Sequence, residues 1–343
     1  MSMRRLVALL SSLLIVAAFA GCGDGDVDPG RTWPATPTPV AVSQTPALGY
    51  EPSPEPPKEL RVAFINLLSP LSADATSTVA AETFEARLAI IIEQLREFRP
   101  DVVGFNEASI TKQHGSAVTK LAKVLKMEPQ YFRANPWLPG QSKEQSDELV
   151  KQVGFEEGEL LLVRSDRFPI KQAESYVLNP RSSESGERRI AIHAVLIGPD
   201  GVGDIDVFIT HLTGGSDRII RAQAYDFATM VAKQRGFGPT IAMVGQSDPT
   251  AASTYEFYKA IALHDVAGKE PIVTCCRESV RGPQPDLTAR SDYLMGGRWP
   301  AVTYRVFGDV PAVQDDATLL YASDHNGIIA VFSFPEPRVT SGE

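Results

Sequence analysis

The sequence predicts an α+β domain built on mixed β-sheets rather than a doubly wound parallel sheet. Three observations carry this. Strand-length apolar runs outnumber the amphipathic helical stretches, about four of which are legible, and no internal repeat relates them. Some of those runs are apolar at nearly every position, as strands buried on both faces are. The order opens as strand, helix, strand and then passes to consecutive strands, where a doubly wound sheet would keep alternating.

The elements follow in order. "ELRVAFINLL" (59–68) is the first strand, with Val62 and Phe64 on one face and Ala63 and Ile65 on the other. Residues 79–98 make a helix: Phe84, Leu88, Ile91, Ile92, Leu95 and Phe98 form one apolar stripe, and Pro100 stops it. "DVVGFNEAS" is a second buried strand ending in Glu107, so the chain starts as a βαβ unit. Residues 114–126 are a weaker helix, and "ELLLVRS" and "RRIAIHAVLIG" are strands separated by the turn-rich "SDRFPI". "IDVFITHLTGG" is a strand ending in His211, followed by a helix over 216–234 with Ile219, Ile220, Tyr225, Phe227 and Met230 as rough core positions. The apolar run 240–244 leads into "GQSD"; a helix near 252–262, "SDYLMGG", a strand near 301–307 and "SDHNGIIAVFSF" complete the pattern.

The ends read differently. Residues 1–21 pair Arg4 and Arg5 with the short apolar run Leu6 to Ala20, as a secretory signal does. The stretch ending in Cys22 resembles a bacterial lipobox, with Phe19 where Leu is usual. The expectation is a lipoprotein exported and anchored through Cys22 to the outer face of the cell membrane. Plain secretion is the alternative. Residues 22–59 are rich in Pro, Thr, Ser and Gly and read as an extended tether. The globular domain is assigned to 60–335 and a flexible tail to 336–343.

Without the two arginines of 1–21, the formal charge falls from −9 to −11. That disfavours capture of long nucleic acids, which needs a basic footprint. It does not exclude a small phosphorylated substrate, and a monomer is expected. Besides Cys22 only Cys275 and Cys276 remain, either packed or joined in a vicinal bridge; their spacing gives no zinc pattern.

Six strand ends deliver polar residues: Asn66, Glu107, His211, Gln246 with Asp248, Asp292, and Asp324 with His325. Singly, each has a structural reading as a turn residue or a satisfied core histidine. Together they suit one cleft at the strand ends of a rigid scaffold. Arg188 and Arg189 precede a strand and read as an exposed pair within reach of phosphate. His114, His193 and His264 are read as structural.

The order of "RVAFINLLS", "RPDVVGFNEAS", "VFITHLTGG", "RSDYLM" and "SDHNGIIAVF" resembles the endonuclease/exonuclease/phosphatase superfamily across roughly residues 60–334. The resemblance implies a four-layer α/β/β/α sandwich of two mixed sheets flanked by helices, with metal-assisted phosphoester hydrolysis. It implies Glu107 as the main ligand of Mg2+ or Mn2+, with Asn66 and Asp324 beside it; Asn66 would also serve substrate binding. It implies His325 as the histidine that stabilises the transition state and orients water. Asp324 would alternatively partner that histidine, Asp292 would support the histidine or the metal, and His211 would donate to phosphate. "TCC" (274–276) resembles a segment of some secreted bacterial members. A structure placing Glu107, His211 and His325 far apart would mark these motifs as coincidence.

Two positions depart from the family pattern. Where it has Gly-Asp-x-Asn, this chain has Gly245-Gln246-Ser247-Asp248. Gln246 is not basic at neutral pH; it is assigned to substrate binding, and Asp248 to the water-activating role. Glu159 stands where many relatives have Asn, and if it faces the site it would draw a cation. The expected activity is therefore a metal-dependent phosphodiesterase or phosphatase. The alternative is a catalytically impaired relative that binds a ligand or partner at the surface.

Overall fold

The computed structural model describes residues 56–70, 77–180, 187–214, 216–247, 254–268, 270, 272–283 and 287–334. Asp248, Cys22, residues 1–21, most of 22–59 and the tail 336–343 lie outside them. In chain order the elements are β1 (Glu59–Asn66), α1 (Ser77–Phe98), β2 (Val102–Thr111), β3 (Gly115–Ser116), α2 (Ala117–Leu125), β4 (Glu128–Asn135), α3 (Lys143–Val153), β5 (Phe155–Val163), β6 (Ile170–Val177) and β7 (Ile190–Ile197). There follow β8 (Asp204–Leu212), α4 (Asp217–Gln234), β9 (Thr240–Gln246), α5 (Tyr255–Ala260), β10 (Leu263–Asp265), β11 (Tyr293–Gly297), β12 (Thr303–Phe307), β13 (Ala312–Val313), β14 (Leu319–Leu320) and β15 (Gly327–Ser333).

Two mixed sheets form. The first runs β12-β15-β1-β2-β5-β4 with β3 appended to β2, and the second runs β10-β11-β9-β8-β7-β6. Each contains one parallel pair, β1 with β2 and β8 with β9. A parallel connection needs a crossover, and α1 and α4 supply them.

The alternation of apolar residues along each strand sets four layers. Val62, Phe64, Leu161 and Val163 of the first sheet pack between the sheets against Ile192, Val207, Ile209, Ile241 and Met243 of the second. Ala63, Ile65, Val103 and Phe105 face the opposite way, onto Phe84, Leu88, Ile91 and Leu95 of α1 and Leu121 of α2. Phe208, Ala242 and Val244 likewise turn to Ile220, Phe227 and Val231 of α4 and Tyr258 of α5. Strands buried on both faces explain the continuous apolar runs. Each fully buried Leu, Ile or Phe contributes about 1.5–3 kcal/mol.

Tyr225 corrects the expected face of α4: its side chain is 61% exposed, on the solvent side of the helix. Besides strands of two or three residues, three elements were not foreseen. β4 and β6 are the edge strands of their sheets. Half of an edge strand's neighbours are missing, so polar residues are tolerated and the pattern in "EPQYFRAN" and "IKQAESYV" weakens. α3 buries little besides Ser146 and Leu149 and is defined by its ends. Ser142 and Gln145 close a capping box, and Gly154 ends it at φ 68°.

Candidate active site

All the strand ends named above meet at one edge of the sandwich, for a topological reason. β1 and β2 are parallel, so their C-terminal ends coincide; β15 and β5 run antiparallel to them and bring their N-terminal ends to the same place. In the second sheet β8 and β9 end there and β11 begins there.

Asn66 shares the inter-sheet face of Val62 and Phe64. Its amide donates to Glu107 Oε1 at 2.9 Å, and its own carbonyl oxygen accepts from the backbone of Leu68 at 2.8 Å. The backbone N–H of Ser69 donates to Glu107 Oε2 at 2.9 Å, so both carboxyl oxygens are oriented. Glu107 reaches this position through a β-bulge. Phe105 and Ala108 both pack in the α1 layer, and the ladder to β5 shifts between them. One residue would separate them in a regular strand; here Asn106 and Glu107 both do. Glu107 takes φ 57°, a left-handed conformation costly for a residue with a Cβ.

Asp292 and His325 form a buried pair, with Asp292 Oδ2 at 2.8 Å from His325 Nδ1. Ser291 Oγ donates to the same carboxyl oxygen at 2.8 Å. Burial alone would push the His325 pKa down, but Asp292, Asp324 and the hydrogen bond carry it up to about 9. The ring is therefore charged at neutral pH. Asp324 accepts from Ser323 Oγ at 3.0 Å, and its charge acts on Glu107 and His325.

His211 has the opposite character. Arg189 Nη1 lies 2.9 Å from His211 Nδ1, and a guanidinium only donates, so Nδ1 accepts. Nε2 then carries the proton and points to Ser247 Oγ at 3.1 Å. Burial, the Arg189 charge and His325 hold the ring's pKa well below the usual value, so it is neutral. Nδ1 is 4.0 Å from Glu107 Oε1. Glu107, His211 and His325 thus belong to one cluster, as the resemblance requires.

Arg188 and Arg189 are buried, which corrects their reading as an exposed pair. Arg188 stacks on Trp137 at 3.8 Å. Arg189 enters the site and also pairs with Glu187 at 2.8 Å. Burial opposes its charge, but Glu187, Glu157, Glu159 and Glu107 raise its pKa further. The acids around it share a complementary difficulty. Glu157 is pushed up to about 8 by burial and by Glu107 and Glu187. Glu159, bonded to the Asn106 amide, is pushed up to about 8 chiefly by burial. Glu107 is raised by burial and then by Asp324.

Gln246 is not brought to this cluster. It follows Ala242 and Val244 on the helix-facing side of β9 and donates to Thr254 Oγ1 at 3.0 Å. Gly245 faces the cleft instead, opposite His211 in the β8–β9 ladder. A Cβ there would collide with Asn106 Oδ1 and lie 3.4 Å from Asp292 Oδ1. Those two buried oxygens have no hydrogen-bond partner among the described residues.

Sequence reasoning passed over two members. Glu157 faces the cleft because it lies an even number of residues before Leu161 and Val163; that parity is legible in "EEGELLLV". Arg87 gave a weaker signal, a cation beside the apolar stripe of α1. It is buried and donates to the carbonyls of Leu67 (2.7 Å), Leu68 (2.8 Å) and Ala322 (3.2 Å). One guanidinium thereby ties the loop after β1 to the loop carrying Asp324 and His325. Of the histidines read as structural, His193 pairs with Asp206 at 2.8 Å and stacks on Phe208. His114 packs against Phe84, and His264 is exposed.

The residues fit a hard divalent cation. Glu107 offers oriented carboxyl oxygens, and its repulsion with Asp324 is relieved by positive charge between them.

Solved structures share this architecture. An endonuclease/exonuclease/phosphatase family protein from Bacteroides thetaiotaomicron matches with a TM-score of 0.62 at 16% identity, over 83% of this chain and 100% of that one. A mannosyl-6-phosphatase from Bacteroides thetaiotaomicron VPI-5482 matches at 0.58 and 18%, over 80% and 100%. The human Nocturnin catalytic domain with bound sulfate matches at 0.56 and 19%, over 81% and 95%. No protein-family model matches the chain, and no curated protein sequence does. The fold is that of these proteins: two mixed sheets face to face, flanked by helices.

Proposed function

We propose that this chain is a metal-dependent phosphoester hydrolase. The observation that carries the reading is the Asp292–His325 pair, held charged beside the oriented carboxylate of Glu107. His325 supplies a charged donor for a phosphoryl oxygen, and neutral His211 would supply a second through Nε2–H once a phosphoryl oxygen takes the place of Ser247 Oγ. Arg189 adds a buried positive charge. Glu107, with Asn66 and Asp324, would hold Mg2+ or Mn2+, which when bound polarises a phosphoryl oxygen. Asp248, two residues beyond Gln246, is the proposed carboxylate that aligns the attacking water. The substrate class is a small or lipid-borne phosphoester, met at the outer face of a membrane to which Cys22 anchors the chain.

Gln246 favours a second reading, since its amide is engaged by Thr254 and offers no base. In that reading the site binds a phosphoester without turning it over. One panel separates the two: phosphomonoesters and bis-p-nitrophenyl phosphate, with and without Mg2+ or Mn2+. Wild type, Glu107→Ala and the double variant Gln246→Asp with Asp248→Asn are compared. Metal-dependent hydrolysis by wild type, lost in Glu107→Ala, supports the hydrolase. Turnover gained only by the double variant supports the silent binder. No turnover by any form rejects the hydrolase.

A further inference from the structure

Cys275 and Cys276 are bonded to each other directly behind the Asp292–His325 pair. Their two sulfurs and a ring nitrogen of His325 lie within 4.8 Å of one another. Among the described residues this is the one group of three or more His, Cys, Asp or Glu side chains whose ligand atoms converge so closely. Cys275 and His325 are buried, and Cys276 is half-buried.

The backbone holds the cysteines there without help from the disulfide. Thr274 Oγ1 accepts from the N–H groups of Ser291 and Asp292, each at 3.1 Å, and its carbonyl accepts from Asn326 N at 2.7 Å. Cys275 exchanges hydrogen bonds with Ala289 at 3.0 Å, and Arg277 N donates to the Asp324 carbonyl at 2.9 Å. The segment is stitched to both loops of the pair, so opening the S–S bond leaves the sulfurs beside His325.

We propose that Cys275, Cys276 and His325 form, once the disulfide is reduced, a binding site for a thiophilic divalent cation such as Zn2+ or Cd2+. Two thiolates and an imidazole are a soft donor set, unlike the hard oxygens of Glu107 and Asp324. Zinc–ligand bonds of about 2.0–2.3 Å set neighbouring donors roughly 3.5–3.8 Å apart, so the freed sulfurs separate from each other while the ring nitrogen draws in by up to roughly an ångström. While bonded to each other the sulfurs are not thiolates, so capture is gated by redox state. A dithiol reductant breaks the S–S bond, giving its two electrons and a proton to each sulfur while itself becoming a disulfide. On metal capture each thiol releases its proton to solvent, and the ring nitrogen gives up any proton it carries. Either ring nitrogen serves a purpose that capture would end: Nδ1 is bonded to Asp292, and Nε2 is the one left to face a ligand. A captured ion therefore withdraws His325 from the cleft.

The site does not rest on the hydrolase reading, because capture is measured without turnover. The test uses the full chain carrying Cys22→Ala, in excess Mg2+, titrated with Cd2+ before and after reduction by a phosphine. The expected result is a thiolate-to-cadmium charge-transfer band in the reduced protein only, saturating at one ion per chain. Cys275→Ser, which leaves one thiolate, should lose at least half of the band, and Cys275→Ser with Cys276→Ser should abolish it. His325→Ala should keep the band but weaken Cd2+ binding by about tenfold or more. A reduced wild type without the band, saturation at one ion per two chains, or unchanged affinity in His325→Ala overturns the proposal.

Discussion

Replacing Arg87 by Met tests whether one buried cation organises the whole site. Met is unbranched and close in length, so the change removes donors with little loss of volume. Arg87 holds the carbonyls of Leu67, Leu68 and Ala322. Each buried carbonyl left without a partner costs about 1–3 kcal/mol. Burial opposes this gain: it lowers the Arg87 pKa well below the usual arginine value, to about 10, equivalent to ~3 kcal/mol against the charged form. Taking that offset into account, the expected net loss is ~3 kcal/mol, read as a lower urea midpoint with an unchanged slope. The loop after β1 presents Ser69 N to Glu107, and Ala322 leads directly into Ser323, Asp324 and His325. Hydrolysis should therefore fall even under conditions where the variant is fully folded. Arg87→Lys should recover less than half of the stability, because one ammonium cannot span both loops. A midpoint shift worth under about 1 kcal/mol, with hydrolysis intact, would refute the reasoning.

Two further perturbations follow from the same geometry. Asp292→Asn removes the carboxylate that raises the His325 pKa to about 9. In wild type the charged pair stabilises the fold fully below pH ~6.5, and this is lost as pH rises through about 9. In the variant only Asp324 and Glu107 still oppose burial, so an imidazole NMR titration should find the midpoint well below about 9; an unchanged midpoint contradicts the pairing. Gly245→Ala sets a methyl against Asn106 Oδ1. It should cost about 1–3 kcal/mol in urea unfolding, and a neutral result would mean that the amide has room to move.

Much of the fold was readable from residues alone. "ELRVAFINLL" and "DVVGFNEAS" declared themselves by apolarity on both faces, and α1 by its stripe, because burial against two layers leaves no polar position. β4 and β6 did not, because an edge strand has only one paired neighbour. The cluster was legible as a list of strand-end polar residues, since a strand that leaves the core must end in groups that tolerate water. The individual roles were less so. Glu107 enters the cleft through a bulge that no periodicity marks, and Gln246 turns toward Thr254 by the ordinary parity of β9.

The sequence by itself determined most of the longer elements, the mixed-sheet class and which polar residues stand at strand ends, because hydrophobic period and local turn chemistry are properties of neighbouring residues. Tertiary structure alone decided that burial and Arg189 hold His211 neutral while Asp292 holds His325 charged, and that two cysteines without a zinc spacing lie beside that same histidine. Charge state and ligand geometry depend on groups brought close by folding, tens to hundreds of residues apart in the chain, and on how much water the fold excludes between them.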